Sequence, residues 1–134
     1  MLYVKIYIAT MIAGLAIDSI WLGVVARNLY KNQLGSLLAE NPNWFAAIAF
    51  YLLFVVGVVV FAIAPAISAG SPWKALALGS LLGLVTYATY DLTNHATLKN
   101  WPLIITLVDL AWGTFFTATI SIVGYFAGQW MQGT

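Results

Sequence analysis

Asp18, Asp91 and Asp109 stand inside stretches that are otherwise apolar enough to cross a membrane. An ionisable side chain at membrane depth is costly and usually marks a functional site. Carboxylates that share one low-dielectric site repel one another, so the chemistry they suggest is capture of a counter-charge: a proton, a cation or the cationic part of a solute. Asp18 precedes Arg27 by nine residues, Asp91 precedes Lys99 by eight, and Asp109 follows Trp101 by eight. At helical rise each lies about 12–14 Å inside the same membrane boundary, which predicts three carboxyls at one depth.

The neighbours of these acids suit an inward-facing pocket. Gly79, Gly83, Tyr87, Asp91 and His95 recur at i, i+4, with Asn94 three residues beyond Asp91. Gly14, Asp18 and Trp21 share one helical face, as do Thr106, Asp109, Trp112 and Gly113. Small residues beside an acid let helices approach closely. Asp18, Asp91 and Asp109 are therefore the expected ligand-binding core, Asn94 and Trp112 the orienting groups, and Trp21 and Tyr87 the wall. The spacing of Asp18 to Trp21 repeats from Asp109 to Trp112 and puts an indole N–H within reach of each carboxyl. His95 reads as an interfacial histidine near a helix end, because no tight ligand motif such as His-x-x-x-His accompanies it. No residue type here implies a cofactor, and catalytic residues are not identified.

Four helices must position these groups. Of 134 residues, 63% are hydrophobic and 7% charged, against about 25% charged in a soluble domain. Too few charges exist to cover a soluble surface, so most of the exterior faces lipid. A membrane crossing takes about 20 apolar residues. The pattern predicts spans at about 2–26, 44–68, 73–94 and 101–131 in a single all-α domain, an integral four-helix transmembrane bundle. Residues 27–43 form either a short interfacial helix, with Leu29, Tyr30, Leu34, Leu37 and Leu38 on one face, or a plain loop. Asn41-Pro42, Ser71-Pro72 and Asn100-Trp101-Pro102 mark helix starts, and Pro65 is a place for span two to kink or end. Trp44, Trp73, Trp101 and Trp130 fall at span ends, where tryptophan anchors at the interface. Both termini lie on one side (side A), and the acids lie nearer the other (side B). Span two has no charge and reads as a wall. Gly79-x-x-x-Gly83 and Gly124-x-x-x-Gly128 are close-packing patterns.

The net charge of +1 and the lack of a basic patch argue against a nucleic-acid partner. The absence of Cys removes disulfides, thiolate metal sites and cysteine nucleophiles. Asp18-x-x-Trp21-Leu22-Gly23, Tyr90-Asp91-Leu92-Thr93-Asn94 and Asp109-x-x-Trp112-Gly113 resemble the motifs of a family of small bacterial inner-membrane proteins of unknown function. That resemblance implies a multi-pass protein of the bacterial inner membrane and carries no activity with it. The leading expectation is binding or transport of a cation, proton or small polar solute, which in so thin a bundle implies a homodimer. A membrane enzyme acting on a lipid or isoprenoid headgroup is the alternative, weakened by the lack of a paired Asp-x-x-x-Asp. A non-catalytic accessory subunit is a third reading. It accounts for the glycine faces but not for the three acids.

Overall fold

A computed structural model describes residues 1–133. The first span is α1 (Leu2–Ile20), prolonged by a π-helical turn over Trp21–Val25. A short helix α2 (Arg27–Leu34) and a 3₁₀ turn (Gly35–Leu37) follow. The second span is α3 (Trp44–Val58), a π turn (Val59–Ile63) and α4 (Ala64–Ala69). The third and fourth are α5 (Pro72–Thr97) and α6 (Leu103–Gly133). All four are long and apolar enough to cross a membrane.

Local chemistry sets the boundaries. Asn43, rather than the Asn41-Pro42 pair, caps α3 by accepting a hydrogen bond from the Ala46 amide at 3.1 Å. Ser71 does the same for α5 through the Lys74 amide at 3.1 Å, with Pro72 as the first helical residue. Pro65 neither ends nor breaks span two. The turn before it winds as a π-helix, which re-spaces the hydrogen bonds around the missing proline N–H. The chain stops at Gly70, whose φ of 63° is left-handed and suits glycine.

The closest packing is between α5 and α6, and glycine makes it. A Cβ on Gly79 would lie 2.5 Å from Ser121 Oγ. One on Gly83 would collide with the Gly113 carbonyl oxygen and the Thr117 side chain, and one on Gly113 with the Tyr87 ring. Each step of four along α5 is thus matched by a step of four along antiparallel α6: Gly79 with Ser121, Gly83 with Thr117, Tyr87 with Gly113. On its other side α6 packs against α1, where Gly128 meets Ile6 and Gly124 meets Thr10. The apolar core fills the space among α1, α6 and the second span, around Ile6, Val55, Val58, Ile63, Phe116 and Ile120. The first half of α3 stands apart from this core. Trp44, Phe45 and Ile48 are exposed, and α5 meets the second span mainly from Val59 onward.

A side chain at Gly83 must push against backbone, so Gly83→Ala is expected to lower stability by about 1–3 kcal/mol. Gly57, whose added Cβ would find nothing nearer than 3.9 Å, should accept Ala with no loss. Thermal unfolding of both variants in one detergent checks the contrast.

Candidate functional site

The α5–α6 register, continued one turn beyond Tyr87 and Gly113, places Asp91 opposite Asp109. The two carboxyls face each other and each feels the other's charge. Asp91 is fully buried, and neither of its carboxyl oxygens has a hydrogen-bond partner. Asp109 is held by Tyr30, whose hydroxyl donates to its Oδ1. The same phenol accepts a hydrogen bond from the Trp21 indole at 3.3 Å. α2 is thereby tied to the bundle by its one inward aromatic residue.

Asp18 sits elsewhere on the same wall. The α1–α6 register set by Ile6 with Gly128 and Thr10 with Gly124 brings Asp18 opposite Phe116. Phe116 lies seven residues beyond Asp109 on α6, which is about 10 Å deeper in the membrane at 1.5 Å per residue. The expected level trio is therefore a pair and a separate third acid. Accordingly, among the described residues no three His, Cys, Asp or Glu side chains form a group of the kind a metal ion takes. The depth expectation fails because α1 ends early. Arg27, taken as a boundary marker, opens α2 instead of closing the first span, which ends in the π turn at Val25. Asp18 shares its surroundings with the Tyr51 and Tyr87 phenols.

The echo between the first and fourth spans has a structural counterpart, but a crossed one. Each indole serves the acid of the other helix. The Trp112 N–H faces Asp18 without closing a hydrogen bond, while Trp21 reaches Asp109 through Tyr30. The register brings Trp21 level with Trp112, so in antiparallel helices each acid lies about one turn to the opposite side of the stacked pair. The two indoles stack with centroids 4.2 Å apart and planes 4° from parallel. Trp112 continues the stack onto Phe116 at 5.4 Å and Phe116 onto Phe54 at 6.3 Å.

These groups border a cavity of about 1100 Å³ in the side-B half. Asp18, Trp21, Tyr87, Asp91, Asp109 and Trp112 all lie on its wall. Asn94 does not. It is one turn nearer the end of α5 and is placed beside the Tyr90 hydroxyl. His95 is exposed near the helix end and is also outside the wall.

Arg27, Tyr30, Lys31 and Trp101 are among the wall residues not expected at the site from sequence. Arg27, Tyr30, Lys31 and Leu34 follow i, i+3, i+4, i+7 spacing, a helical face that the sequence does contain. Trp101 was expected as an interfacial anchor, like Trp44, Trp73 and Trp130. Those three are exposed, but Trp101 is buried and donates its indole N–H to Thr106 Oγ1 at 2.9 Å. Thr106 in turn donates to the Asp91 main-chain oxygen at 3.5 Å. Trp101 thus braces the backbone that carries the buried acid. Phe50 of α3 and Val85 of α5 both lie on the wall and are exposed, so the cavity is bordered there by residues that face lipid.

The family profile described as "Predicted membrane protein (DUF2177)" matches residues 3–126. No curated protein and no solved structure gives a significant match.

Burial pushes the Tyr30 phenol above its ordinary value of 10.0, and the hydrogen bond to Asp109 pushes it further the same way. The folded protein therefore holds this proton more tightly than the unfolded chain. Its contribution to stability is complete below pH 10 and declines as pH rises above that. An absorbance titration of tyrosinate should show Tyr30 still protonated where free tyrosine is half ionised. In Tyr30→Phe the Tyr30 component of the pH-dependent loss should vanish.

Proposed function

The chain belongs to this family of predicted membrane proteins, and we propose that it binds a cation-bearing solute inside the membrane at the Asp91–Asp109 pair. One observation carries the reading: Asp91 is wholly buried on a cavity wall, with both carboxyl oxygens unpartnered. A buried ionised carboxyl left without a partner costs several kcal/mol, so the group demands a proton or a cation. Proton and ligand then compete for the same oxygens, which is the chemical basis of exchange. Tyr30 donates to Asp109, and the Asp91 carboxyl stands within hydrogen-bonding reach of Asp109, so the pair can share one proton until a cation displaces it. The stacked Trp21 and Trp112 supply π faces along the wall, and such faces attract cations.

Transport coupled to proton exchange follows naturally from that competition, in the bacterial inner membrane that the motif resemblance implies. The cavity of about 1100 Å³ exceeds the needs of a bare ion. It lies just above the range of about 300–1,000 Å³ that holds an organic ligand. A headgroup-processing enzyme is less well supported, because the acids form a pair with a distant third rather than a metal cluster.

Tetraphenylphosphonium is a suitable probe, titrated into purified protein in uncharged detergent and followed by tryptophan fluorescence. The wild type should release about one proton per cation bound, measured with a pH indicator in weak buffer. Asp91→Asn should bind at least about tenfold more weakly and release none. Equal affinity in the two proteins would remove Asp91 from the site.

A further inference from the structure

The acids are not the only unpartnered charges on this cavity. Arg27 and Lys31, one turn apart on α2, also lie on its wall. Among the described residues neither forms an ion pair. Tyr30 stands between them in sequence and donates its hydroxyl proton to Asp109. A pair of acids and a pair of bases thus line one cavity, and among the described residues no salt bridge joins them.

Building on the cation-binding reading, we propose that the ligand is a zwitterionic aminophospholipid, with its ammonium on Asp91 and its phosphate between Arg27 and Lys31. A simple cation gains from the acids but meets two bases on the same wall. A simple anion has the opposite difficulty. A molecule carrying both signs satisfies all four groups. A phosphoethanolamine head spans roughly 10 Å from acid to base when a charge-assisted contact of about 2.8 Å is added at each end. The rest of the wall is apolar: Leu22, Leu34, Leu38 and Phe50 border the remainder of the space. Acyl chains seated there leave past the lipid-facing Phe50 and Val85, so the ligand enters from the bilayer and not from water.

The test uses the full chain in uncharged detergent with four probes: dioctanoyl phosphatidylethanolamine, dioctanoyl phosphatidylglycerol, octylammonium and glycerophosphoethanolamine. Affinities are read by tryptophan fluorescence. Phosphatidylethanolamine should bind at least about tenfold more tightly than each of the others. Asp91→Asn and the double variant R27Q/K31Q should each remove that preference. Both bases are exposed, so the double variant should keep the wild-type unfolding temperature, which is measured alongside. If octylammonium binds as tightly as the phospholipid and R27Q/K31Q changes nothing, the zwitterion is overturned while cation binding at Asp91 stands. If phosphatidylglycerol binds equally well and Asp91→Asn has no effect, both readings fall. Equal binding of glycerophosphoethanolamine would overturn the lipid and leave a water-soluble zwitterion.

Discussion

Everything in the side-B half of this bundle depends on how closely α5 and α6 approach. Inside a bilayer the hydrophobic effect does not press helices together, because lipid tails are as apolar as leucine. Association rests on van der Waals contact and polar bonds between backbones that come near one another. Gly83 against the Gly113 carbonyl, and Gly79 against Ser121, provide that contact. Once these residues lock, the register is fixed along the whole pair. Four residues on one helix answer four on the other, and Asp91 arrives opposite Asp109. The acidic pair is a consequence of glycine packing two and three turns away.

The second consequence is the crossed relation of acids and indoles. A motif of acid followed by tryptophan one turn later points in opposite directions along the membrane normal on α1 and α6. When the two tryptophans stack at the same depth, as Trp21 and Trp112 do, their own acids are driven to different depths. Asp18 goes deep and Asp109 stays shallow. The stack therefore separates two carboxylates that would otherwise repel, and it lends each one an indole from the other helix. Asp18 keeps company with the phenols of Tyr51 and Tyr87, while Asp109 receives Tyr30.

The early end of α1 completes the cavity. The first span ends at Val25, and α2 follows directly, tied to the bundle through Tyr30. Its inward face brings Tyr30, Arg27 and Lys31 to a wall that four straight spans would have left to lipid. The same economy of contact explains α3. Its first half meets little of the bundle, and Phe50 borders the cavity there while facing lipid.

The sequence alone determined the class of the protein, because nine charged residues in 134 leave no alternative to a lipid-facing exterior. It also determined four spans, most of their ends and the inward phase of Asp91 with Gly79, Gly83 and Tyr87, since helical period and glycine spacing are local properties. The distribution of the acids was decided only in three dimensions. Depth counted from loop residues assumes a flat boundary, and the short first span breaks that assumption. Which indole faces which acid depends on an antiparallel register that no single helix encodes. Trp101 looked like its three exposed counterparts because residue type and span end are the same for all four. Only the packing of α6 against α5 turned it inward, where its N–H could brace Thr106 instead of meeting water.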